Sequence, residues 1–274
     1  MLPELFHIGP LPIRSYGLML AFSFLLGVYY IYRVSSRDGK PFEQYLTVAY
    51  ILVFGGIIGA RLAYIALHVS EFAGNWGAAF NPLHSDRFGI AGLNLYGGVL
   101  LGLAGTIVYC RRKGLPVLDV FDYFSPTLGI GLALTRIGCF LNGCCFGTPT
   151  ELPWGVTFPA GSIPFAVFGQ QHLHPAQIYS SLYGLLLFVT LHYLMKRRRF
   201  TGQLIAVLFM AEATFRFAIE YVRYYEEAMV FSLGSIQPTY NQVVSVVLFL
   251  TGVIIYVAGS RRVAPGARVD ARSS

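Results

Sequence analysis

Long apolar stretches, separated by short polar segments, follow one another along almost the whole chain. About 20 mostly apolar residues are enough to cross a bilayer as a helix, and seven stretches approach that length. They begin near Tyr16, Leu46, Ile90, Val117, Pro175, Leu204 and Pro238, and they end near Tyr32, Leu67, Cys110, Thr135, Met195, Tyr221 and Ala258. The pattern predicts an all-α integral membrane protein with seven transmembrane helices.

Composition supports a membrane protein and argues against a soluble one. Of the 274 residues, 55% are apolar and 12% are charged, whereas soluble domains carry about 25% charged residues. The segment from Met1 to Pro12 has no basic start, and no small-residue cleavage site follows the first apolar stretch, so we expect that stretch to be retained as a span. The net charge of +7 lies in short clusters between apolar stretches, which predicts no nucleic-acid partner.

The basic residues also predict the orientation of the helices. Fourteen of the 20 lysines and arginines occupy every second connection and the tail. They are Arg33, Arg37, Lys40, Arg111, Arg112, Lys113, Lys196, Arg197, Arg198, Arg199, Arg261, Arg262, Arg268 and Arg272. Because cytoplasmic loops are enriched in Lys and Arg, the amino terminus is predicted outside and the carboxyl terminus in the cytoplasm.

This orientation divides the chain into a membrane domain and a tail. Residues 1–260 are predicted to form a single seven-helix domain, and residues 261–274 a polar cytoplasmic tail. Three outer segments rich in Gly, Pro and aromatic residues, at about 69–89, 138–173 and 223–237, are predicted to form a small extracytoplasmic cap.

Six arginines remain, and the orientation places all of them in outer loops or outer halves of spans. They are Arg14, Arg61, Arg87, Arg136, Arg216 and Arg223. A charged side chain at bilayer depth costs about 2.5 to 3.5 kcal/mol on insertion scales and tends to face a cavity or a partner. Several arginines around one outer-leaflet cavity predict an anion site, and a phospholipid phosphate is the anion most available there.

The sixth predicted span carries three of the charged residues at helical spacing. Glu212, Arg216 and Glu220 recur every four residues, so they are predicted to share one helix face, with Arg223 three positions further on. One interpretation is that this face lines the anion site. The alternative is a buried ion-pair stripe that only locks helices together.

A glycine-rich segment follows the fourth predicted span. The sequence from Thr135 to Gly147 reads TRIGCFLNGCCFG, in which three glycines and Asn142 interrupt the apolar pattern. Irregular backbone at membrane depth is tolerated where it lines a cavity or is covered by protein. We therefore expect a bend or re-entrant turn beside the arginine site, and a simple transition from span to loop is the alternative.

Three of the four cysteines fall in this segment and raise the question of zinc or a disulfide. Cys139, Cys144 and Cys145 do not have the usual ligand spacing of zinc sites, and only Cys139 and Cys144 are spaced for a bridge. The sequence favours small buried side chains at all three positions and predicts no metal site. Cys110, at the cytoplasmic end of the third span, is predicted to be structural.

Other candidate positions lie near the outer ends of spans. Tyr96 precedes Gly97 and Gly98, a glycine pair that permits either close helix packing or close approach of a ligand. His174 and Gln177 open the fifth span from the outside, and Tyr16 stands at the outer end of the first span, where aromatic residues are common.

Seven short motifs in a fixed order identify a family that the chain resembles. They are RSYGLM from Arg14, GARLAY from Gly59, YGG from Tyr96, the run from Asp122 to Gly147, HPAQIY from His174, FRFAIEYVR from Phe215 and TYNQ from Thr239. This order resembles that of the prolipoprotein diacylglyceryl transferases. The resemblance implies transfer of the diacylglyceryl group of phosphatidylglycerol to the lipobox cysteine in the signal peptide of a prolipoprotein, with release of glycerol phosphate.

That reaction is the first step of bacterial lipoprotein maturation, so the resemblance places the protein in the bacterial plasma (inner) membrane, surrounded by membrane lipids, with its active site toward the outer leaflet. By the same resemblance Arg136 and Arg216 bind the lipid phosphate and act in catalysis together with Tyr96 and Tyr16. The other implied substrate-binding residues are Asn142, Gly147, Gly97, Gly98, Glu220, Arg223, Arg61, His174 and Gln177. The resemblance also implies a reaction that requires no metal or other cofactor.

The chain departs from the family pattern at three positions. Tyr96 stands where the family usually has a histidine often proposed as the base, and Cys139 and Cys144 stand where Asn and Glu are common. A diverged relative with another acceptor is therefore an alternative. A transporter or lipid-binding protein is a second alternative, although the sequence shows no internal repeat. Asp122 matches the family but is predicted to be structural, since it lies about 20 Å from Arg136 along its helix.

Overall fold

The structure is a computed structural model that describes residues 1–9, 11–72, 74, 76–77, 94–224 and 239–262. Most of the predicted cap segments 69–89 and 223–237, nearly all of the predicted tail and Arg87 therefore lie outside the described residues. The described part opens with a two-stranded antiparallel hairpin, β1 (Glu4–Ile8) and β2 (Leu11–Arg14). The hairpin was not predicted, because the sequence interpretation assigned only helices.

Each of the seven predicted spans corresponds to a helix. They are α1 (Ser15–Arg37), α2 (Phe42–Leu67), α4 (Leu95–Lys113), α5 (Val117–Asn142), α7 (Ala176–Met195), α8 (Gln203–Ile219) and α9 (Tyr240–Ser260), and two short helices, α3 (Val69–Phe72) and α6 (Ile163–Phe168), lie between them. Among the described residues, five of these helices, all but α4 and α8, are long and apolar enough to cross a membrane. The protein is thus a multi-pass, mainly helical membrane protein.

The chain divides into two compact units. Residues Ser35–Val120 form one, and Met1–Val34 together with Phe121–Ser274 form the other. In the first unit, α2 and α4 pack through glycines. A Cβ on Gly97 would meet Gly59 O at 2.5 Å, and one on Gly98 would meet Gly56 O at 2.6 Å. The helices approach so closely because these positions have no side chain, as expected for the close-packing interpretation of Gly97 and Gly98.

The second unit holds α1, most of α5, and α7 to α9. Helices α5 and α7 cross where Gly129 and Gly184 face each other's backbone, and a Cβ on either would lie 2.6 Å from a backbone nitrogen of the other helix. Nearby, the Ser181 hydroxyl donates to Ala133 O at 2.8 Å. Small residues and interhelical hydrogen bonds are the usual means of helix association in lipid, where no hydrophobic force drives it.

Asp122 fixes the beginning of α8 against α5. Its buried carboxylate accepts hydrogen bonds from the backbone amides of Gly202, Leu204 and Ile205, at 2.7, 2.9 and 3.0 Å. Arg198 lies 3.7 Å from the same carboxylate. A negative group at a helix N-terminus satisfies donors that have no partner in the helix and interacts favourably with its dipole. Asp122 thus has the structural role predicted for it.

Candidate active site

The carboxyl-terminal part of α5 carries Arg136 toward the amino-terminal end of α1. The helix continues through the predicted interruption and ends only at Asn142, because the glycines in it are compatible with a helix. Gly138 allows α1 to come close, since a Cβ there would lie 3.0 Å from Tyr16 Cα. The charge of Arg136 acts on the Tyr16 hydroxyl, so these two predicted catalytic residues are neighbours.

The charged residues of α8 join Arg216 to Arg136. Arg216 Nη2 lies 3.3 Å from Glu220 Oε1, and Glu212 interacts electrostatically with both Arg216 and Arg136. The Glu220 side chain is 1% exposed, whereas that of Arg216 is 24% exposed. Glu220 therefore orients a guanidinium that keeps part of its surface accessible to a ligand.

Glu220 is itself held by the beginning of α9. Its Oε2 accepts from Thr239 Oγ1 at 2.8 Å and from Asn241 Nδ2 at 3.5 Å. Thr239 caps α9 through a reciprocal capping box with Gln242. The sequence analysis assigned no role to Thr239 and Asn241, although the Thr-x-x-Gln spacing is a recognisable signal for a helix start.

Arg223 is positioned by a backbone pairing beyond the end of α8. The helix ends at Ile219, and Arg223 lies outside it, as expected from its place at the start of an outer segment. It forms a β-bridge with Gly147. Flanking hydrogen bonds join Thr148 N to Val222 O at 2.9 Å and Tyr224 N to Phe146 O at 3.1 Å. The chain turns at the end of α8, and the bridge then positions Arg223.

Gly147 lies at a junction of three backbone segments. Its amide donates to His174 O at 3.1 Å, and a Cβ at this position would lie 2.6 Å from both His174 O and Val222 O. Only glycine fits such a close approach. Apolar side chains cover the junction, and Phe146, Phe158 and Leu173 form its buried core.

The beginning of α7 also contacts this junction. Gln177 is 1% exposed, and its Nε2 donates to Cys144 O at 2.9 Å. His174 Nδ1 lies 3.4 Å from Tyr179 Oη, which accepts a hydrogen bond from Trp154 Nε1 at 2.7 Å. Gln177 thus holds the loop that follows α5, and His174 belongs to a network with Trp154, a residue that the sequence analysis did not identify.

The three clustered cysteines converge in this loop. Their Sγ atoms all lie within 4.8 Å of one another, and Asn142 hydrogen bonds to Cys144. Hydrogen bonds from the Cys139 and Cys144 thiols lower the pKa of the Cys145 thiol, and the charges of Arg223 and Arg136 lower it further, whereas burial opposes them. The cysteine loop, residues 139–145, therefore adjoins both arginines.

Nine of the predicted site residues lie in the unit that contains α5 and α8: Tyr16, Arg136, Asn142, Gly147, His174, Gln177, Arg216, Glu220 and Arg223. The other four, Arg61, Tyr96, Gly97 and Gly98, lie in the α2–α4 unit. There the Arg61 guanidinium packs 5.7 Å from the ring centroid of Tyr64 and 5.6 Å from that of Phe72. Tyr96 is 51% exposed in the first turn of α4.

Chemically, the site is an anion-binding surface. Glu212 interacts with Arg136 and Arg216, Glu220 pairs with Arg216, and Arg136 and Arg223 both act on Cys145. Three arginines therefore accompany two carboxylates, which leaves an excess of positive charge. Guanidinium forks match phosphate oxygens in pairs. An open apolar groove of about 570 Å³ runs along another face of α8, lined by residues that include Met210, Thr214, Phe215 and Ala218.

Comparison with known proteins identifies relatives along nearly the whole chain. A family model described as prolipoprotein diacylglyceryl transferase matches residues 3–258. A phosphatidylglycerol–prolipoprotein diacylglyceryl transferase of Synechococcus elongatus is 32% identical over 96% of this chain and 90% of its own. One from Clostridium tetani is 30% identical over 93% and 97%, and one from Bordetella avium is 29% identical over 95% of each chain.

Proposed function

The chain belongs to the prolipoprotein diacylglyceryl transferase family, and we propose that it transfers the diacylglyceryl group of phosphatidylglycerol to the lipobox cysteine of prolipoproteins, the first step of lipoprotein maturation. The observation that carries this proposal is the pairing of Arg136 and Arg216 around Glu212, with Glu220 fixing Arg216. The relatives that share this family are named for phosphatidylglycerol and prolipoprotein.

The arginines bind the lipid phosphate in this proposal. Arg216 is oriented by a buried carboxylate and keeps part of its surface exposed, so a phosphate oxygen can reach its remaining donors. Arg136 also interacts with Glu212, and two guanidinium groups on one phosphate give both affinity and geometry. Arg223, fixed by its bridge with Gly147, adds positive charge.

The reaction follows from this placement of charge. The acceptor thiol loses its proton, its sulfur attacks the glycerol carbon next to the phosphate, and a C–S bond replaces the C–O bond. The electron pair of the broken bond leaves on the phosphate oxygen of glycerol phosphate. Fixed positive groups stabilise charge that develops on a leaving anion, which is usually the largest contribution to catalysis. In this step Tyr16 supports Arg136, its neighbour in the same unit.

The membrane arrangement completes the proposal. All seven helices cross the bacterial plasma membrane, with the amino terminus and the active site on the outer side and the carboxyl terminus in the cytoplasm, as the basic residues favour. Both substrates diffuse in the membrane plane, so they enter sideways between helices.

A second candidate function uses the same phospholipid donor with another acceptor. It is favoured by Tyr96, Cys139 and Cys144, which replace residues common in the family. The two functions differ in what happens to a lipobox peptide, since only the first predicts its rapid modification.

The test is a transfer reaction with purified protein in phosphatidylglycerol vesicles and a lipobox peptide. We expect the peptide to gain the mass of one diacylglyceryl group, with glycerol phosphate released in equal amount, and we expect no product from phosphatidylcholine vesicles or from a peptide with serine in place of the cysteine. Release of glycerol phosphate without peptide modification would favour the second acceptor. No release at all would contradict both functions.

A further inference from the structure

The cysteine loop contains a group of thiols that the proposed reaction does not use. Cys139, Cys144 and Cys145 place their three Sγ atoms within 4.8 Å of one another, and no other Cys, His, Asp or Glu among the described residues joins them. Cys139 is buried, whereas Cys144 and Cys145 are half-buried. The group is therefore closed on one side and accessible on the other.

The separations match those of a three-thiolate metal site. An ion that holds three sulfurs at about 2.3 Å has those sulfurs roughly 3.8 to 4.0 Å apart, for tetrahedral or trigonal geometry. Since no pair exceeds 4.8 Å, closing the ring around an ion requires each pair to move by about 1 Å or less. Rotation of the side chains is enough for such a shift.

The backbone explains how two adjacent cysteines can face the same point. Gly143 and Cys145 both adopt left-handed conformations, with φ of 75° and 61°. The turn between them is tied back to α5 by Cys144 N, which donates to Cys139 O at 3.1 Å, and to α7 by Gln177. A non-glycine residue in the left-handed region is strained and tends to occur where a site requires it. Here it turns the Cys145 sulfur toward the other two.

The charges around the cysteine loop favour a divalent metal ion held by three thiolates. Arg136 and Arg223 both act on Cys145, so they offset the negative charge that three thiolates with one divalent ion would retain. Soft thiolate ligands select zinc and other thiophilic ions over magnesium or calcium. In the sequence, the adjacent positions of Cys144 and Cys145 argued against a metal site. The turn at Gly143 and Cys145 makes such a site possible.

We propose that Cys139, Cys144 and Cys145 bind a thiophilic cation of the zinc type and that the acceptor's thiol occupies its open fourth position. Catalytic zinc sites characteristically combine three protein ligands with one open position. Cys144 and Cys145 are the partly exposed members of the group, so we place the open position beside them. The second part of this inference rests on the proposed transferase function, and the first part does not.

The cation activates the thiol of the acceptor by favouring its deprotonated form. A thiol that coordinates zinc is deprotonated, so its proton leaves to solvent when it binds. The bound thiolate then attacks the glycerol carbon, the C–S bond forms, and the C–O bond breaks with its electron pair on the phosphate oxygen. The product is a thioether, which has no charge and is a weaker ligand, so it dissociates. No electron is gained or lost by the cation.

Metal binding is tested on the purified full-length chain. After equilibration with buffered Zn²⁺ and gel filtration, we expect one zinc per chain in the wild type and in Cys110→Ala, whose thiol is buried in α4. Cys145→Ser and the triple serine variant are expected to retain less than about a tenth as much at the same free zinc, because a ligand is lost. Equal zinc in wild type and triple variant, or no zinc in either, would overturn the proposal.

Cadmium in place of zinc tests the fourth position without turnover. Thiolate ligands on Cd²⁺ give an ultraviolet charge-transfer absorption, and we expect it to increase by about one third when a lipobox peptide adds a fourth thiolate to three, and not to change with the serine peptide. An unchanged absorption would overturn the acceptor role.

A transfer assay on the zinc-loaded and chelator-treated protein separates the two proposals. Activity that is independent of zinc would overturn the acceptor role alone, whereas unchanged zinc binding with no transfer in any form would contradict the transferase function.

Discussion

Gly147→Ala tests whether the junction behind the arginine site is as tightly packed as the structure indicates. The new Cβ would lie 2.5 Å from His174 Cβ and 2.6 Å from the carbonyl oxygens of His174 and Val222. Ordinary contacts are about 3.5 to 4.0 Å, so two backbone segments must each give way, by about 1 Å in total. One of these segments leads directly into Arg223.

The expected cost follows from this displacement. Overpacking of a rigid interior typically costs about 1 to 3 kcal/mol, which corresponds to a fall of several degrees in the unfolding midpoint. A displacement of about 1 Å at a catalytic group can lower the rate about 100-fold. We therefore expect a much larger loss of kcat for diacylglyceryl transfer than the change in stability explains.

The assay compares Gly147→Ala with Gly131→Ala in the same detergent. Gly131 lies in α5, and a Cβ added there would have none of the described residues outside its own helix within 4 Å. Alanine at this position should therefore leave both the midpoint and the transfer rate near those of wild type. Unfolding midpoint and transfer rate are measured on the same preparations. Wild-type rate and midpoint in Gly147→Ala would refute the close junction and its role in positioning Arg223.

Three further predictions concern single side chains. Asp122→Asn should destabilise the protein by about 1 to 3 kcal/mol, because the carboxylate that accepts from three backbone amides at the beginning of α8 is lost. Thermal unfolding should show this while KM for phosphatidylglycerol stays constant. Arg216→Lys keeps the charge but loses the paired donors, so we expect kcat/KM to fall at least about tenfold, and a rate equal to wild type would argue against a phosphate contact there. In chelator-treated protein, hydrogen bonds from neighbouring thiols and the positive charges of two arginines lower the pKa of Cys145, so its alkylation rate should rise less between about pH 7 and 9 than that of an ordinary thiol. A thiol with a pKa near 8.5 gains about twentyfold over this range, and an equal gain at Cys145 would contradict the lowered pKa.

Most of the helical architecture could be predicted from the apolar pattern, because crossing a bilayer requires long apolar helices and little else. The predicted spans at Tyr16, Leu46 and Pro175 correspond closely to α1, α2 and α7. The ends were harder to predict. Helix α5 continues to Asn142 because a glycine inside a helix weakens it without breaking it, so the glycine pattern alone overestimated the interruption.

The residues of the candidate site could be predicted from the sequence, but the contacts that position them could not. Arg136 and Arg216 could be identified because an arginine at membrane depth is costly to insert. Such a residue therefore tends to face a ligand or a partner. The position of Arg223 depended on the β-bridge to Gly147, a long-range pairing that has no local sequence signal. The predicted end of the span, near Tyr221, lies only two residues beyond the end of α8 at Ile219.

The cysteines illustrate the same limit. Their spacing argued against a common centre, since neighbouring side chains usually point apart. The left-handed conformation of Cys145 reverses that expectation, and a non-glycine residue in this conformation cannot be recognised from the sequence. The close approach of three sulfurs therefore became apparent only from the structure.

The most direct test of the central claim is the transfer rate of Arg136→Ala beside that of Arg261→Ala, an exposed arginine at the end of α9. Both variants are assayed in phosphatidylglycerol vesicles with the lipobox peptide. The account predicts that Arg136→Ala loses transfer by about 100-fold or more, as when a preorganised donor to a developing anion is removed, while Arg261→Ala keeps the wild-type rate. Folded Arg136→Ala protein that transfers diacylglycerol as fast as wild type would contradict the proposal that Arg136 and Arg216 bind the phosphate that leaves.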